Sequence, residues 1–211
     1  MNKDRPIIYV VDDDRSMAQS IRWLIESVGL HVEIFDHPKQ FLAQYNADHH
    51  GCLILDVRMP EMGGLEVQSY LKKQGIDIPI IFITGHGDVP MAIRAMKGGA
   101  VEFLTKPFND QALLDSINNA IELDAKRRRK RQRRESIETR IKRLTPRERE
   151  VMTLVVAGKL NKVIAAELHI SSKTVELHRS KIMEKMEARS LAELVKLVVT
   201  YQANQNTSVE A

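Results

Sequence analysis

Three carboxylates, a hydroxyl and an ammonium stand at the polar ends of four short apolar runs in this chain. Ile7–Val11 ends in Asp12 and Asp13, Cys52–Leu55 in Asp56, Ile78–Ile83 in Thr84, and Val101–Thr105 in Lys106. If the runs are parallel strands joined by right-handed helical crossovers, their carboxyl ends open onto one crevice, which is where open α/β sheets carry their chemistry. Such oxygen donors suit a hard divalent cation. With the ammonium and the hydroxyl beside them, they can also stabilise a phosphoryl group being transferred to a carboxylate. Singly the residues say little, since Asp12, Asp13 and Asp14 serve equally as solvated acids and a helix cap, Asp56 as a turn residue and Lys106 as a surface cation. Their placement at four strand ends favours the chemical reading.

The elements that must position them follow from periodicity. After the first run, Met17, Ile21, Leu24, Ile25 and Val28 recur at helical spacing, with Asp14 as N-cap and Gly29 as terminator. Val32–Phe35 predicts a second strand, His37–Tyr45 a helix, Cys52–Leu55 a third strand and Leu65–Gln74 a helix. The fourth run leads into Val89–Lys97, stopped by Gly98 and Gly99, and the fifth into a helix from Asn109 that carries Leu113, Leu114, Ile117 and Ile121. Five strand–helix units imply a parallel, doubly wound sheet.

Charge divides the 211 residues, 43% of them hydrophobic, into two domains. Residues 1–123 hold 11 basic and 17 acidic side chains, net −6, whereas residues 124–211 hold 21 and 11, net +10. The first half suits a cation or a basic partner and the second a polyanion such as nucleic acid. Between them, residues 124–143 predict a basic, helical linker. Its KRRRKRQRR run, Lys126–Arg134, has no apolar residue to bury and is attracted to DNA phosphates by charge alone, before Ile137, Ile141 and Leu144 resume helical spacing. The lone Cys52 sits in an apolar run and has no disulfide partner, as in a reducing cytosol. No run has the length of a signal-peptide core or a membrane span.

The second domain, residues 144–201, opens on Thr145-Pro146-Arg147-Glu148, a capping box with proline at the first helical position. Val151, Leu154 and Val155 form the buried face of that helix and Gly158 stops it. Asn161 is placed to cap the next helix, which buries Ile164, Ala165 and Leu168, and His169-Ile170 makes a short turn. Ser171 caps a third helix with Val175, His178, Ile182 and Met186 on one side, and a fourth spans about Ser190–Tyr201. Four short helices with a tight central turn suggest a helix-turn-helix module. The third helix then presents Glu176 to a cytosine amino group, Leu177 to a thymine methyl and Ser180 to either base of a pair. Lys173, Thr174, Arg179 and Lys181 fall to phosphates. Glu176 serves nearly as well as a solvated helix charge, and His178 reads as a packing residue. The polar stretch 202–211 is expected to be a disordered tail.

The motifs VVDDD, LDVRMP, ITGHGD and FLTKPF resemble the receiver domain of two-component response regulators over roughly residues 5–123, within a first domain of residues 1–123, and LTPREREVM to TVELHR resembles the DNA-binding domain of the LuxR/NarL class over roughly 144–201. The stretch ITGHGDVPMAIRAMKGGAVEFLTKPF is closest to the FixJ-like regulators. The resemblance implies an α/β receiver with a five-stranded, flavodoxin-like sheet, followed by an all-α four-helix helix-turn-helix domain. It implies Asp56 as phospho-acceptor, Mg²⁺ held by Asp13, Asp56 and the backbone carbonyl of Arg58, with Asp12 acting through a water, and Lys106 and Thr84 on the phosphoryl oxygens. A cis bond before Pro107 is also implied. Thr84 and Phe103 would form the switch that remodels the surface of the fourth helix, fifth strand and fifth helix. The implied protein is a cytoplasmic transcription factor, an activator by family habit. A cognate sensor histidine kinase phosphorylates it, it dimerises when phosphorylated, and it binds duplex promoter DNA, with RNA polymerase a further partner and no membrane. Leu191, Leu194 and Val198 on the last helix are candidates for core or dimer contacts.

Two other classes fit less well. A phosphohydrolase using an aspartyl phosphate would want an acid two residues after its nucleophile, where Arg58 stands, so the chain reads as no enzyme beyond its own phosphoryl transfer and slow self-dephosphorylation. An adaptor whose second domain binds protein or RNA would leave the basic third helix without a duplex to read.

Overall fold

The computed structural model describes residues 5–85 and 89–206. His86, Gly87 and Asp88 of the ITGHGD motif and residues 207–211 of the expected tail lie outside them. The chain divides into two compact units, Met1–Arg128 and Arg129–Ala211, with the break inside the KRRRKRQRR run.

In the first unit, strands β1 (Ile7–Val11), β2 (His31–Phe35), β3 (Gly51–Asp56), β4 (Ile80–Thr84) and β5 (Glu102–Thr105) form one parallel sheet in the order β2-β1-β3-β4-β5. Helices α1 (Arg15–Ser27), α2 (Pro38–Gln44), α3 (Gly64–Lys73), α4 (Val89–Lys97) and α5 (Asp110–Lys142) follow the strands in turn. The two-residue period of each strand splits its side chains between two cores. Tyr9, Val11, Leu53, Leu55 and Phe82 pack with Phe41, Val67, Leu71 and Ala95. Ile8, Val10, Ile54, Ile81 and Ile83 pack with Ala18, Ile21, Ile25, Leu113 and Ile117. Helices cover both faces, which is why β1, β3 and β4 are continuous apolar runs with no alternation. Cys52 is buried in the second of these cores, and burial pushes its thiol pKa well up, so it is a packing residue and no nucleophile.

The chain winds outward from β1 to β2 and then returns to β3 on the other side of β1, so the topological switch point lies between the strands that end in Asp12 and Asp56. Asp14 caps α1 as expected, accepting from Ser16 N (2.9 Å) and Met17 N (3.2 Å), and Gly29 terminates the unit at φ +79°. At the opposite edge of the sheet, the buried Asp124 carboxylate accepts from Gly51 N (3.0 Å) and from Arg128 Nε (3.1 Å). The Arg128 guanidinium also donates to the carbonyls of Ala47, Asp48 and His49. The linker expected at 124–143 is helical through Lys142, and its first residues belong to this clamp.

In the second unit, the end of α5 packs with α6 (Pro146–Val156), α7 (Asn161–Glu167), α8 (Ser172–Met186) and α9 (Leu191–Asn206). The capping box is formed, with Glu148 N to Thr145 Oγ1 at 3.2 Å and Thr145 N to Glu148 Oε2 at 2.8 Å. Ser171 caps α8 through Thr174 N (3.0 Å). Two expectations need correction. Asn161 does not cap α7. The cap residue is Leu160, with no side-chain bond, and Asn161 Oδ1 instead accepts from Arg179 Nη1 at 3.1 Å. The last helix does not stop at Tyr201 but continues to Asn206, so residues 202–206 of the expected tail are helical. Polar residues after Tyr201 carry no helix breaker, and a helix already anchored by its buried residues extends through them.

Candidate functional site

Four strand ends meet at the carboxyl edge of the sheet. The register sets Val11 beside Leu55, Asp56 beside Ile83 and Thr84 beside Thr105, so the polar residues that follow or end these strands converge. Asp12 and Asp56 are only 1% and 5% exposed. Between them, Lys106 Nζ donates to Asp12 Oδ2 at 2.7 Å and to Asp56 Oδ1 at 2.9 Å. The second Asp56 oxygen accepts from Arg58 N at 2.6 Å, and Asp12 Oδ1 accepts from Asp14 N at 2.9 Å. Lys106 is fixed to the sheet by its own N–H, which donates to the Thr84 carbonyl at 2.7 Å, and the Lys106–Pro107 bond is cis. Thr84 is fully buried at the same edge, and the half-buried Phe103 ring lies 6.3 Å from that of Phe82.

Two carboxylates share one ammonium, so the cluster is electron-rich. Burial raises the Asp12 pKa despite the hydrogen bonds from Lys106 and Asp14 N–H. The same burial would depress the Lys106 ammonium, but its bonds to Asp12 and Asp56 outweigh it and hold the pKa above the ordinary lysine value. Asp13, grouped with these acids in the sequence, is exposed. Among the described residues no three acid, histidine or cysteine side chains form an all-protein metal cage. Two buried carboxylates joined by a lysine, with a third carboxylate one residue along, form the set that the structure assembles.

One contributor was missed in the sequence. A Cβ on Gly64 would lie 2.3 Å from the Asp56 carbonyl oxygen, and Gly64 N donates to Val57 O at 3.0 Å, so the loop after Asp56 folds back onto its own strand only because residue 64 is glycine. The Gly63-Gly64 pair was the available signal.

In the second unit, α8 carries an exposed side made of Lys173, Glu176, Leu177, Ser180 and Lys181, opposite buried Val175, Ile182 and Met186. Arg179 and Thr174 are less free. The former is half-buried and bonded to Asn161, and the Thr174 hydroxyl pairs with Ser171 Oγ at 2.8 Å. His178 is half-buried, and its Nδ1 has no hydrogen-bond partner among the described residues. Of the last-helix candidates for core or dimer contacts, Leu194 and Val198 are 1% and 3% exposed and belong to the core of this unit. Helical spacing alone does not tell a core row from a surface row on a helix that is apolar on more than one side. Leu191 is exposed.

Residues 8–118 match the model of the response regulator receiver domain, and residues 142–198 match that of the bacterial regulatory proteins of the luxR family. Nodulation protein W of Bradyrhizobium diazoefficiens is 47% identical over 96% of this chain and 89% of its own length, and FixJ of the same organism is 44% identical over 91% and 94%. The chain belongs to the FixJ-like response regulators.

The response regulator TodT of Pseudomonas putida is 46% identical over 93% of this regulator and 87% of its own length. Among solved structures, the response regulator StyR superposes with a TM-score of 0.86 at 49% identity, covering 93% of this chain and 100% of that one. Full-length FixJ gives 0.56 at 42%, covering 94% and 98%. The regulator is thus a two-component protein with a receiver and a LuxR-type DNA-binding domain. It serves transcription regulation, with a sensor kinase implied upstream and DNA downstream. Among the described residues no helix is long and apolar enough to cross a membrane.

Proposed function

We propose that Asp56 accepts a phosphoryl group from the phosphohistidine of a cognate sensor kinase. The observation that carries this reading is the double hydrogen bond of Lys106 to Asp12 and Asp56 at the switch point of the sheet. An Asp56 carboxylate oxygen forms the new P–O bond as the P–N bond breaks, and the electron pair leaves with the imidazole. Lys106, already hydrogen-bonded to that carboxylate, offsets the charge that the phosphoryl oxygens bring. Thr84 supplies a hydroxyl to one of those oxygens.

The donor set suits Mg²⁺. It is made of oxygens only, it carries more negative than positive charge, and it offers few protein ligands, as an ion that retains several waters requires. Asp13, Asp56 and the Arg58 carbonyl would hold it directly, with Asp12 acting through a water. When bound, the ion neutralises charge on the transferred group. Receiver domains of this family use it in that role.

Thr84 and Phe103 are the switch. A hydroxyl drawn to the phosphoryl group would vacate space on the β4–β5 side, and the Phe103 ring, half-buried and 6.3 Å from that of Phe82, would turn in to take it up. The altered surface of α4, β5 and α5 favours a homodimer, to which Leu191 adds an exposed contact in the second unit. The dimer binds promoter DNA through α8. Glu176, Leu177 and Ser180 face the bases, while Lys173, Thr174, Lys181 and, less freely, Arg179 face phosphates. The regulator activates transcription in the cytoplasm, with RNA polymerase as a further partner. Binding to promoter fragments, with and without acetyl phosphate and Mg²⁺, tests this beside Asp56→Asn. Tighter donor-dependent binding that the variant lacks is the expected result, and equal binding in all samples would contradict control by phosphorylation.

A further inference from the structure

The cations of the KRRRKRQRR run fall into two groups. Lys126 pairs with Glu122 (3.6 Å), Arg127 with Asp77 (2.6 Å), Arg128 with Asp124 (3.1 Å) and Arg131 with Glu135 (3.8 Å). Arg129, Lys130 and Arg133 are exposed, and among the described residues none of them has an acidic partner. These three, with Arg134, line one side of a groove of about 530 Å³ whose other residues are Ile137 of α5 and Val199, Thr200 and Tyr201 of α9. Arg129 and Arg133 stand four residues apart on α5. Like charges at that spacing repel along a helix. Arg129, Lys130 and Arg133 thus form a positive row without acidic partners among the described residues that a bound anion would relieve.

We propose that this groove docks the phosphate backbone of duplex DNA beyond the bases that α8 reads, which rests on the reading of α8 given above. The groove belongs wholly to the second unit, which carries α8 and has the basic charge. A unit of this length has a radius of gyration of about 12 Å. One turn of duplex is about 34 Å long, comparable to the width of such a unit, so the backbone flanking the bases at α8 runs along further surface of the same unit. Val199, half exposed, and the partly exposed Tyr201 give the lysine and arginine stems an apolar surface to lie on while their heads stay in water. A uniform polyanion fits a repeating row of cations better than an acidic protein segment does, since the latter would have to match its charges to this spacing.

The test is the salt dependence of binding of the full-length regulator, treated with acetyl phosphate and Mg²⁺, to a random-sequence duplex. Arg129→Gln, Lys130→Gln and Arg133→Gln combined should lower the slope of log K against log salt by about 2 to 3, since each lost phosphate contact removes about 0.9. Between 50 and 200 mM salt, the wild type then loses about 40-fold more affinity than the variant. A charge-matched control, Lys126→Gln with Arg127→Gln and Arg131→Gln, should lower the slope by less than about 1, because those cations are already paired. Circular dichroism confirms that both variants are folded. An unchanged slope in the groove variant overturns the proposal, as does an equal drop in the control. An unchanged slope with lost binding of a polyglutamate peptide also overturns it, giving the groove to an acidic protein segment. Lys181→Gln separates this from failure of the α8 reading, because it lowers the slope whether or not the groove takes part, unless α8 itself does not contact phosphate.

Discussion

Each unit of the regulator buries a carboxylate against a lysine at 2.7 Å, yet the two pairs do opposite things. Glu148, 3% exposed, accepts from Lys185 Nζ and, at 2.8 Å, from the Thr145 N–H, both on Oε2, so one carboxylate is matched by one ammonium. Burial alone would raise its pKa, but the Lys185 and Thr145 bonds outweigh burial and hold it below the ordinary glutamate value. Asp12 and Asp56 divide one ammonium between two carboxylates, and at Asp12 burial prevails and raises the pKa. A charge-matched buried pair fixes structure, whereas an unbalanced one retains affinity for further positive charge. The imbalance, and not the presence of a buried ion pair, distinguishes the carboxyl edge of the sheet from the joint between α6 and α8.

The contrast can be broken most severely at Lys106. Lys106→Ala leaves two buried carboxylates with no cation, and phosphorylation by acetyl phosphate should slow by at least about 100-fold, the scale for losing one preorganised donor. Phosphorylation in the matched Glu148→Ala variant should be unchanged, whereas its second unit loses about 2 to 3 kcal/mol, from the cap and the broken pair together, in urea unfolding. The pH dependence carries the same sign. Because the folded pKa of Glu148 is depressed, its stabilisation is complete above the ordinary glutamate value near 4.3 and is lost as pH falls through the lower folded value. Thermal melts of the wild type should therefore drop more steeply on acidification than those of Glu148→Gln. At the other site, Asp12→Asn removes the excess charge and should stabilise the receiver by about 1 kcal/mol in Mg²⁺-free buffer while lowering its phosphorylation. Smallest of all, Leu191→Ala should change stability by less than about 0.5 kcal/mol, as for an exposed position, but weaken dimerisation in sedimentation of the phosphorylated protein.

Much of this was legible in the sequence where local rules act. Continuous apolar runs ending in Asp12, Asp56, Thr84 and Lys106 gave the parallel sheet and its polar edge, and Thr145 with Glu148 gave the start of α6. What was not legible depends on long-range packing. The bond from Arg179 to Asn161, the clamp of Arg128 on the 47–49 carbonyls and the burial of Leu194 and Val198 join residues that no periodicity connects. The exposure of Asp13 beside buried Asp12 is of the same kind, because adjacent residues past a strand end diverge according to how the backbone leaves the sheet.

The central claim is that the unbalanced cluster makes Asp56 the acceptor. Intact-mass measurement after incubation with acetyl phosphate and Mg²⁺, on the wild type and on Asp56→Asn, tests it most directly. A single phosphoryl adduct on the wild type and none on the variant is the predicted result. An adduct of equal yield on Asp56→Asn, or none on a folded wild type, would contradict it.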